Sequence, residues 1–281
     1  MKKTITVATA CYDKDWKLIL SDGYLKKVFD RYNYNFDKRF LLINTTSNRE
    51  EITQKALREV SLGNIDEFYF TEDLRQEVLD YFSIKDFNYI DSFSFKKNNN
   101  ISVLKRFYHF YISKKGKSKL ISLRKRKYDC IDYSISPLCA IYKSQTDCIL
   151  YFTEDCTMSD NSSAAWIEKA VDLLDKDDYL AARPIDLDLD TNWLDTYDID
   201  DGFYISYMFT DRMFLSKIDD LKRINFNCED KKQYPPYGGA GFEARVYNYM
   251  AENNKFMLIS KNEKYIHEYD EYMNGVNPSD S

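Results

Sequence analysis

Runs with strand character alternate with runs of helical spacing through the first half of the chain, and this alternation is the tightest constraint on what it can fold into. Residues 5–10 are β-rich, 24–32 have helical spacing, 39–44 form a second apolar run, and 49–61 are helical again. A third short strand is predicted at 67–71, followed by a helix over 73–82 that puts Leu74, Val78, Leu79 and Phe82 on one face. Strand–helix units in succession predict an α/β fold on a mixed, mainly parallel central sheet flanked by helices.

The alternation continues past the middle. Helices are predicted at 101–113 and 134–144, the latter with Pro137 in its first turn, then an apolar strand at 148–152, a helix at 164–174 and a strand at 179–182. Asp-rich sequence over 186–201, with Trp193, Tyr197 and Phe203 in or beside it, reads either as a surface loop or as an acceptor-binding loop above the strand ends. A strand at 204–209, a Pro/Gly loop at 235–239, a helix at 242–252 and a strand at 256–259 complete the pattern. With no internal repeat or linker in sight, one domain is expected over 1–281. Its polar tail would be 271–281.

Composition narrows the function. The scarcity of glycine and proline (8 and 5 residues) beside 24 tyrosines and 18 phenylalanines indicates a densely packed interior rather than a linker-rich or disordered chain. A formal net charge of −6 argues against a general nucleic-acid binder, which needs a basic surface. The local exception is Lys114, Lys115, Lys117, Lys119, Arg124, Lys125, Arg126 and Lys127, with no acid among them. That run is a solvated face, or else a contact for a diphosphate or an anionic membrane surface. The amino terminus has two lysines, but its apolar run is too short for a signal peptide or membrane helix, so a cytoplasmic protein is expected, without a transmembrane segment. Six cysteines show no Cys-x-x-Cys pair and only two histidines accompany them, which disfavours structural zinc and a Cys–His hydrolase and leaves free thiols.

The most informative local feature is the strand Ile149-Leu150-Tyr151-Phe152, which runs into Thr153-Glu154-Asp155. Ligands of open α/β sheets bind beyond the carboxyl ends of the strands, where adjacent carboxylates suit a hard divalent cation bridging a nucleotide diphosphate. The Gly238-Gly239-Ala240-Gly241 loop lacks the order of a P-loop, which excludes an ATPase of that type. His109, in an aromatic stretch, reads as a packing residue.

In order and spacing, three segments resemble GT-A glycosyltransferases across roughly the whole chain. Thr6-Val7-Ala8-Thr9-Ala10-Cys11-Tyr12-Asp13 is similar to the opening strand and nucleotide loop; Leu150-Tyr151-Phe152-Thr153-Glu154-Asp155 is similar to the strand with the Asp-x-Asp metal motif; Tyr265-Ile266-His267 is similar to the late segment that supplies a further metal or diphosphate ligand. Threonine stands here where the first aspartate of the motif is common.

The resemblance implies transfer of a hexosyl or deoxyhexosyl group from a nucleoside-diphosphate sugar to an oligosaccharide or lipid-linked glycan, in surface polysaccharide or glycoconjugate synthesis, with a donor half over about 1–158 and an acceptor half over about 159–270. It implies Mn²⁺ or Mg²⁺ at Asp155, with Glu154 and His267 as further ligands, and donor contacts at Thr9, Cys11, Tyr12, Thr45, Arg49 and Glu154. Tyr12 would stack on the base and Arg49 would meet a phosphate or base carbonyl. An inverting reaction needs a carboxylate base, for which Glu243 is the first candidate and Asp211 the second. Two alternatives remain beside it: a noncatalytic carbohydrate-binding or assembly protein on the same fold, and a sugar nucleotidyltransferase. The latter usually carries a Gly-rich loop and a basic residue after the first strand, which are absent here.

Overall fold

A computed structural model describes residues 2–12, 15–44, 47–84, 131–159, 162–187, 196–226 and 241–267. Ten strands make one sheet: β1 (Ile5–Tyr12), β2 (Lys38–Asn44), β3 (Glu67–Phe70), β4 (Cys148–Phe152), β5 (Cys156–Met158), β6 (Tyr179–Asp186), β7 (Thr196–Asp200), β8 (Phe203–Ser206), β9 (Met213–Lys217) and β10 (Phe256–His267). Their order is β3-β2-β1-β4-β9-β6-β10-β8-β7, with β5 paired to β10 off that path. The pairs β3/β2, β2/β1, β1/β4 and β6/β10 are parallel, while β9, β8 and β5 run against their neighbours. Strand direction is therefore mainly parallel, as the strand–helix alternation predicts.

Helices cover both faces, which is why β1 and β4 read as nearly unbroken apolar runs rather than alternating ones. The period of two still decides which side chain meets which layer. Leu150 and Phe152 join one core with Val7, Leu41 and Leu215, whereas Ile149 and Tyr151 join the other with Ala8, Leu42 and Phe214. On the first side lie α1 (Trp16–Ile19), α2 (Tyr24–Asp30), α3 (Arg49–Ser61) and α6 (Ala165–Leu173). On the second lie α4 (Thr71–Tyr81), α5 (Ile131–Lys143), α7 (Ile218–Lys222) and α8 (Phe242–Glu252). An aromatic stack pins α8 to the sheet: Phe214 lies parallel to Tyr151 at 5.4 Å and to Phe242 at 5.7 Å between centroids.

Several sequence expectations need correction. Pro137 is the seventh residue of α5, not part of its first turn; the burial of Ile135, Leu138, Cys139 and Ile141 outweighs the hydrogen bond that proline cannot donate. The strand expected over 204–209 stops at Ser206, and β9 and α7 follow it unannounced. β6 and β10 extend to Asp186 and His267 because each finds a partner for its polar end, Tyr265 lying opposite Asp186 and His267 opposite Cys156. Within the Asp-rich stretch, Thr196–Asp200 is strand β7, turned into β8 through Asp201 and Gly202, whose φ angles of 42° and 88° suit an Asp-Gly hairpin. The helix at 101–113, the basic run 114–127, residues 188–195 with Trp193, the 235–239 loop and the 271–281 tail lie outside the described residues.

Phe214 has no exposed surface and touches both Tyr151 and Phe242. Phe214→Ala is expected to lower unfolding stability by about 3–5 kcal/mol, measured by urea or thermal unfolding.

Candidate active site

The strand order dictates where polar side chains meet. β1, β4, β9, β6 and β10 are consecutive in the sheet; all but β9 point the same way, and β9 enters from the edge where the others end. That edge collects Tyr12 from β1, Thr153, Glu154 and Asp155 after β4, Asp211 and Arg212 before β9, Arg183 and Asp186 from β6, and Tyr265 from β10. The aromatic stack at Phe242 brings the first turn of α8, with Glu243, over the same edge.

Thr153 builds the turn at its centre. Its backbone N–H donates to the Arg212 carbonyl at 2.8 Å, and the Cys156 N–H donates back to its carbonyl at 3.0 Å. The Thr153 hydroxyl donates to Asp155 Oδ1 at 2.5 Å, which fixes that carboxylate. β5 then pairs with the end of β10 and sets the His267 backbone opposite Cys156, one residue from Asp155.

The acids at this rim are crowded and poorly solvated. Burial, with Asp155 and Asp15 adding repulsion, pushes Glu154 up to about 8, and among the described residues its buried Oε2 accepts no hydrogen bond. Burial and the neighbouring Asp211 push Glu243 up to about 8, against the opposing pull of Arg212, a Thr210 hydrogen bond and Arg183. Burial likewise raises Asp211 to about 6; Arg212 favours its charged form and Asp155 opposes it. Beside them, Arg183 donates to the Tyr265 hydroxyl at 3.4 Å, which donates to Asp186 at 3.3 Å.

The candidate donor residues divide. Thr9 is 2% exposed, its hydroxyl reaching only the Ala10 carbonyl at 3.5 Å. The Cys11 side chain lies in the core, where burial raises its thiol far above the usual range, so this residue offers the rim only its backbone. Tyr12 packs its ring on the second core rather than leaving it free to stack on a base; burial raises its phenol, which stands in the field of Glu154 and Asp211. Arg49 is taken up by an ion pair with Asp73 and lies over the Phe70 ring at 4.1 Å. Thr45 is outside the described residues.

Among the described residues, no group of three or more His, Cys, Asp or Glu is placed to hold a metal ion. A cation nonetheless suits the donor set: Glu154 has a buried oxygen without a hydrogen-bond donor beside the carboxylate of Asp155. Mg²⁺-type ions are commonly held by one or two carboxylates, with water and phosphate oxygens completing the shell. Sequence reasoning missed Arg183, Arg212, Tyr265 as an Arg183–Asp186 bridge, and Asp186. Nothing in the Ala-Ala-Arg-Pro-Ile-Asp run of β6 marks a site; only the Phe-Thr-Asp-Arg stretch, which supplied Asp211, held a signal.

The class is an open α/β sheet whose strand ends gather acids at one edge. More narrowly, the chain has the GT-A fold. In a crystal structure of GalNAc-T7 with UDP, GalNAc and Mn²⁺, the match covers 94% of this chain and 43% of that one, with a TM-score of 0.50 and 11% identity. Mouse xyloside xylosyltransferase 1 in its apo form matches with a TM-score of 0.48 and 8% identity, over 91% of this chain and 84% of that one. S. aureus TarS with UDP-GlcNAc gives a TM-score of 0.45 and 8% identity, over 98% and 61%. This chain thus spans less than half the length of the first structure. No protein-family model and no curated protein matches the sequence.

Because the folded state keeps the Glu154 proton up to about pH 8 and an unfolded chain releases it near pH 4.5, Glu154 costs stability progressively as pH rises between those values. Glu154→Gln removes that loss. In EDTA, its melting temperature relative to the wild type is expected to rise by about 2 °C or more from pH 5 to pH 9; a difference that stays flat with pH would show that the carboxyl is not held neutral.

Proposed function

We propose that the chain is a glycosyltransferase that moves a sugar from a nucleoside-diphosphate sugar to a glycan acceptor. The observation that carries this reading is the convergence of Glu154 and Asp155 with Asp211 and Glu243 on one rim of a GT-A fold. Glu154 and Asp155, with His267 as a further candidate, would hold a Mn²⁺ or Mg²⁺ ion, which when bound neutralises the diphosphate.

The chain's own groups supply the rest. The acceptor hydroxyl attacks the anomeric carbon and yields its proton to a carboxylate, while the anomeric C–O bond breaks and its electron pair goes to the β-phosphate oxygen. Glu243 is the first candidate base and Asp211 the second. Asp211, raised only to about 6, is ionised at neutral pH, while Arg212 and Arg183 oppose the burial and the Asp211 charge that raise Glu243, so the pair keeps an ionised carboxylate to take the acceptor proton. The inverting course, the hexosyl or deoxyhexosyl class, a role in surface-glycan assembly and a cytoplasmic setting, with the 114–127 basic run touching the membrane, belong to the same proposal. Among the described residues no helix is long and apolar enough to cross a membrane.

The test is a melting panel of UDP, GDP, TDP and CMP with and without Mn²⁺, followed by donor hydrolysis and transfer with the nucleotide that binds. One nucleoside diphosphate is expected to raise the melting temperature with Mn²⁺. Asp155→Ala is expected to remove the Mn²⁺-dependent part, and Glu243→Gln to lower kcat by about 10²–10⁴ while leaving nucleotide binding in place. Undiminished turnover in Asp155→Ala would sink the metal-assisted reading. Thr153 in the position of an acid favours one second reading, a noncatalytic binding or assembly protein on this fold. Binding of an oligosaccharide without any nucleoside diphosphate would select it.

A further inference from the structure

We infer that Arg212 is a cation supplied by the protein itself for the diphosphate of the bound nucleotide, standing beside Asp155 where Thr153 has replaced an acid. The inference rests on the nucleotide-sugar reading above and deepens it.

Arg212 is locked to the site through its main chain. Its carbonyl accepts the Thr153 N–H at 2.8 Å and lies 3.4 Å from the Thr153 hydroxyl, and its own N–H donates to the Thr210 hydroxyl at 3.4 Å. The β4/β9 register, with Phe152 opposite Met213, continues into this contact and sets Arg212 across from the turn that carries Asp155. The residue is nonetheless exposed.

Its guanidinium lies in the field of Asp155 and Asp186, and it acts in turn on Asp211 and Glu243. Four carboxylates surround it, yet among the described residues its side chain is hydrogen-bonded to none and ion-paired with none. Other basic side chains of the fold are taken up: Arg49 by Asp73, Arg58 by Asp22 through both nitrogens, Lys176 by Asp200, and Arg183 by the Pro184 carbonyl and Tyr265. Arg212 therefore brings a free planar fork of donors into a place already rich in negative charge.

A guanidinium fork matches two oxygens of a phosphate, and its charge persists at every working pH. As the sugar leaves, its C–O electron pair adds charge to the β-phosphate oxygen. A donor held in place beforehand stabilises that charge without reorganising. Beside a cation held by Glu154 and Asp155, Arg212 would supply a second positive charge.

The experiment measures binding of UDP, GDP and TDP, each against its nucleoside, to wild type, Arg212→Ala and Arg212→Lys, in EDTA and in Mn²⁺. Arg212→Ala is expected to remain folded when unliganded, since among the described residues the side chain has no hydrogen bond or ion pair to lose and only its field on Asp211 and Glu243 goes. It should weaken the bound nucleoside diphosphate roughly tenfold or more while leaving the nucleoside unchanged. Arg212→Lys should fall between the two, having the charge without the fork. The loss should be larger in EDTA than in Mn²⁺. Wild-type diphosphate affinity in Arg212→Ala would overturn the assignment and leave the transferase reading standing. A wild type that binds none of the three diphosphates would overturn both.

Discussion

The placement of β4 between a parallel β1 and an antiparallel β9 is the constraint on which the rest of the structure depends. All five of its residues are buried, because helices cover both faces of the sheet at this point. Such a strand carries no charged side chain of its own and must deliver its charged sequence past its end. The chain does so at once, in Thr153, Glu154 and Asp155, and the antiparallel neighbour brings Asp211 and Arg212 to the same edge. Had β9 run parallel to β4, its leading loop would lie at the opposite edge of the sheet, away from the acids.

The acids are gathered at an electrostatic disadvantage. Glu154, Asp211 and Glu243 are each raised chiefly by burial and secondarily by one another or by Asp155. The rim counters this only in part. Thr153 anchors one oxygen of Asp155, Arg183 donates to the Tyr265 hydroxyl, which donates to Asp186, and Arg212 stands nearby. Burial and like-charge crowding thus hold Glu154, Asp211 and Glu243 above the usual carboxylate range. Enzyme sites use burial and like-charge neighbours to raise carboxyls in this way.

Legibility differed with the physical source of each signal. Helices α3 and α8 and strand β4 were readable to the residue, since their periodicity or unbroken apolarity is set by burial against the sheet. The five-residue β9 and the short α7 were not, because neither carries enough residues to establish a period. Pro137 misled for a related reason: local chemistry places proline at a helix start, and the burial of the residues around it overrides that preference. In the site, Glu154, Asp155, Asp211 and Glu243 could be nominated from carboxylates at strand and helix ends. That Cys11 faces the core, that Tyr12 lies on the second layer and that Arg49 is spent on Asp73 could not, since each depends on which neighbour a side chain finds.

By itself the sequence determined the alternating α/β architecture, the strand that ends in two acids and the order of the segments that meet at the crevice. These follow from local periodicity and from the rule that parallel strands open their carboxyl ends to ligands. Only the tertiary structure decided that residues 153–155, 183–186, 211–212, 243 and 265 share one rim. Pairing register across β1, β4, β9, β6 and β10 brings together positions far apart along the chain, and no local pattern encodes it. The tertiary structure also decided which of two arginines is occupied and which is free: Arg183 is buried on β6 with a hydroxyl in reach, while Arg212 is exposed, held by its backbone alone.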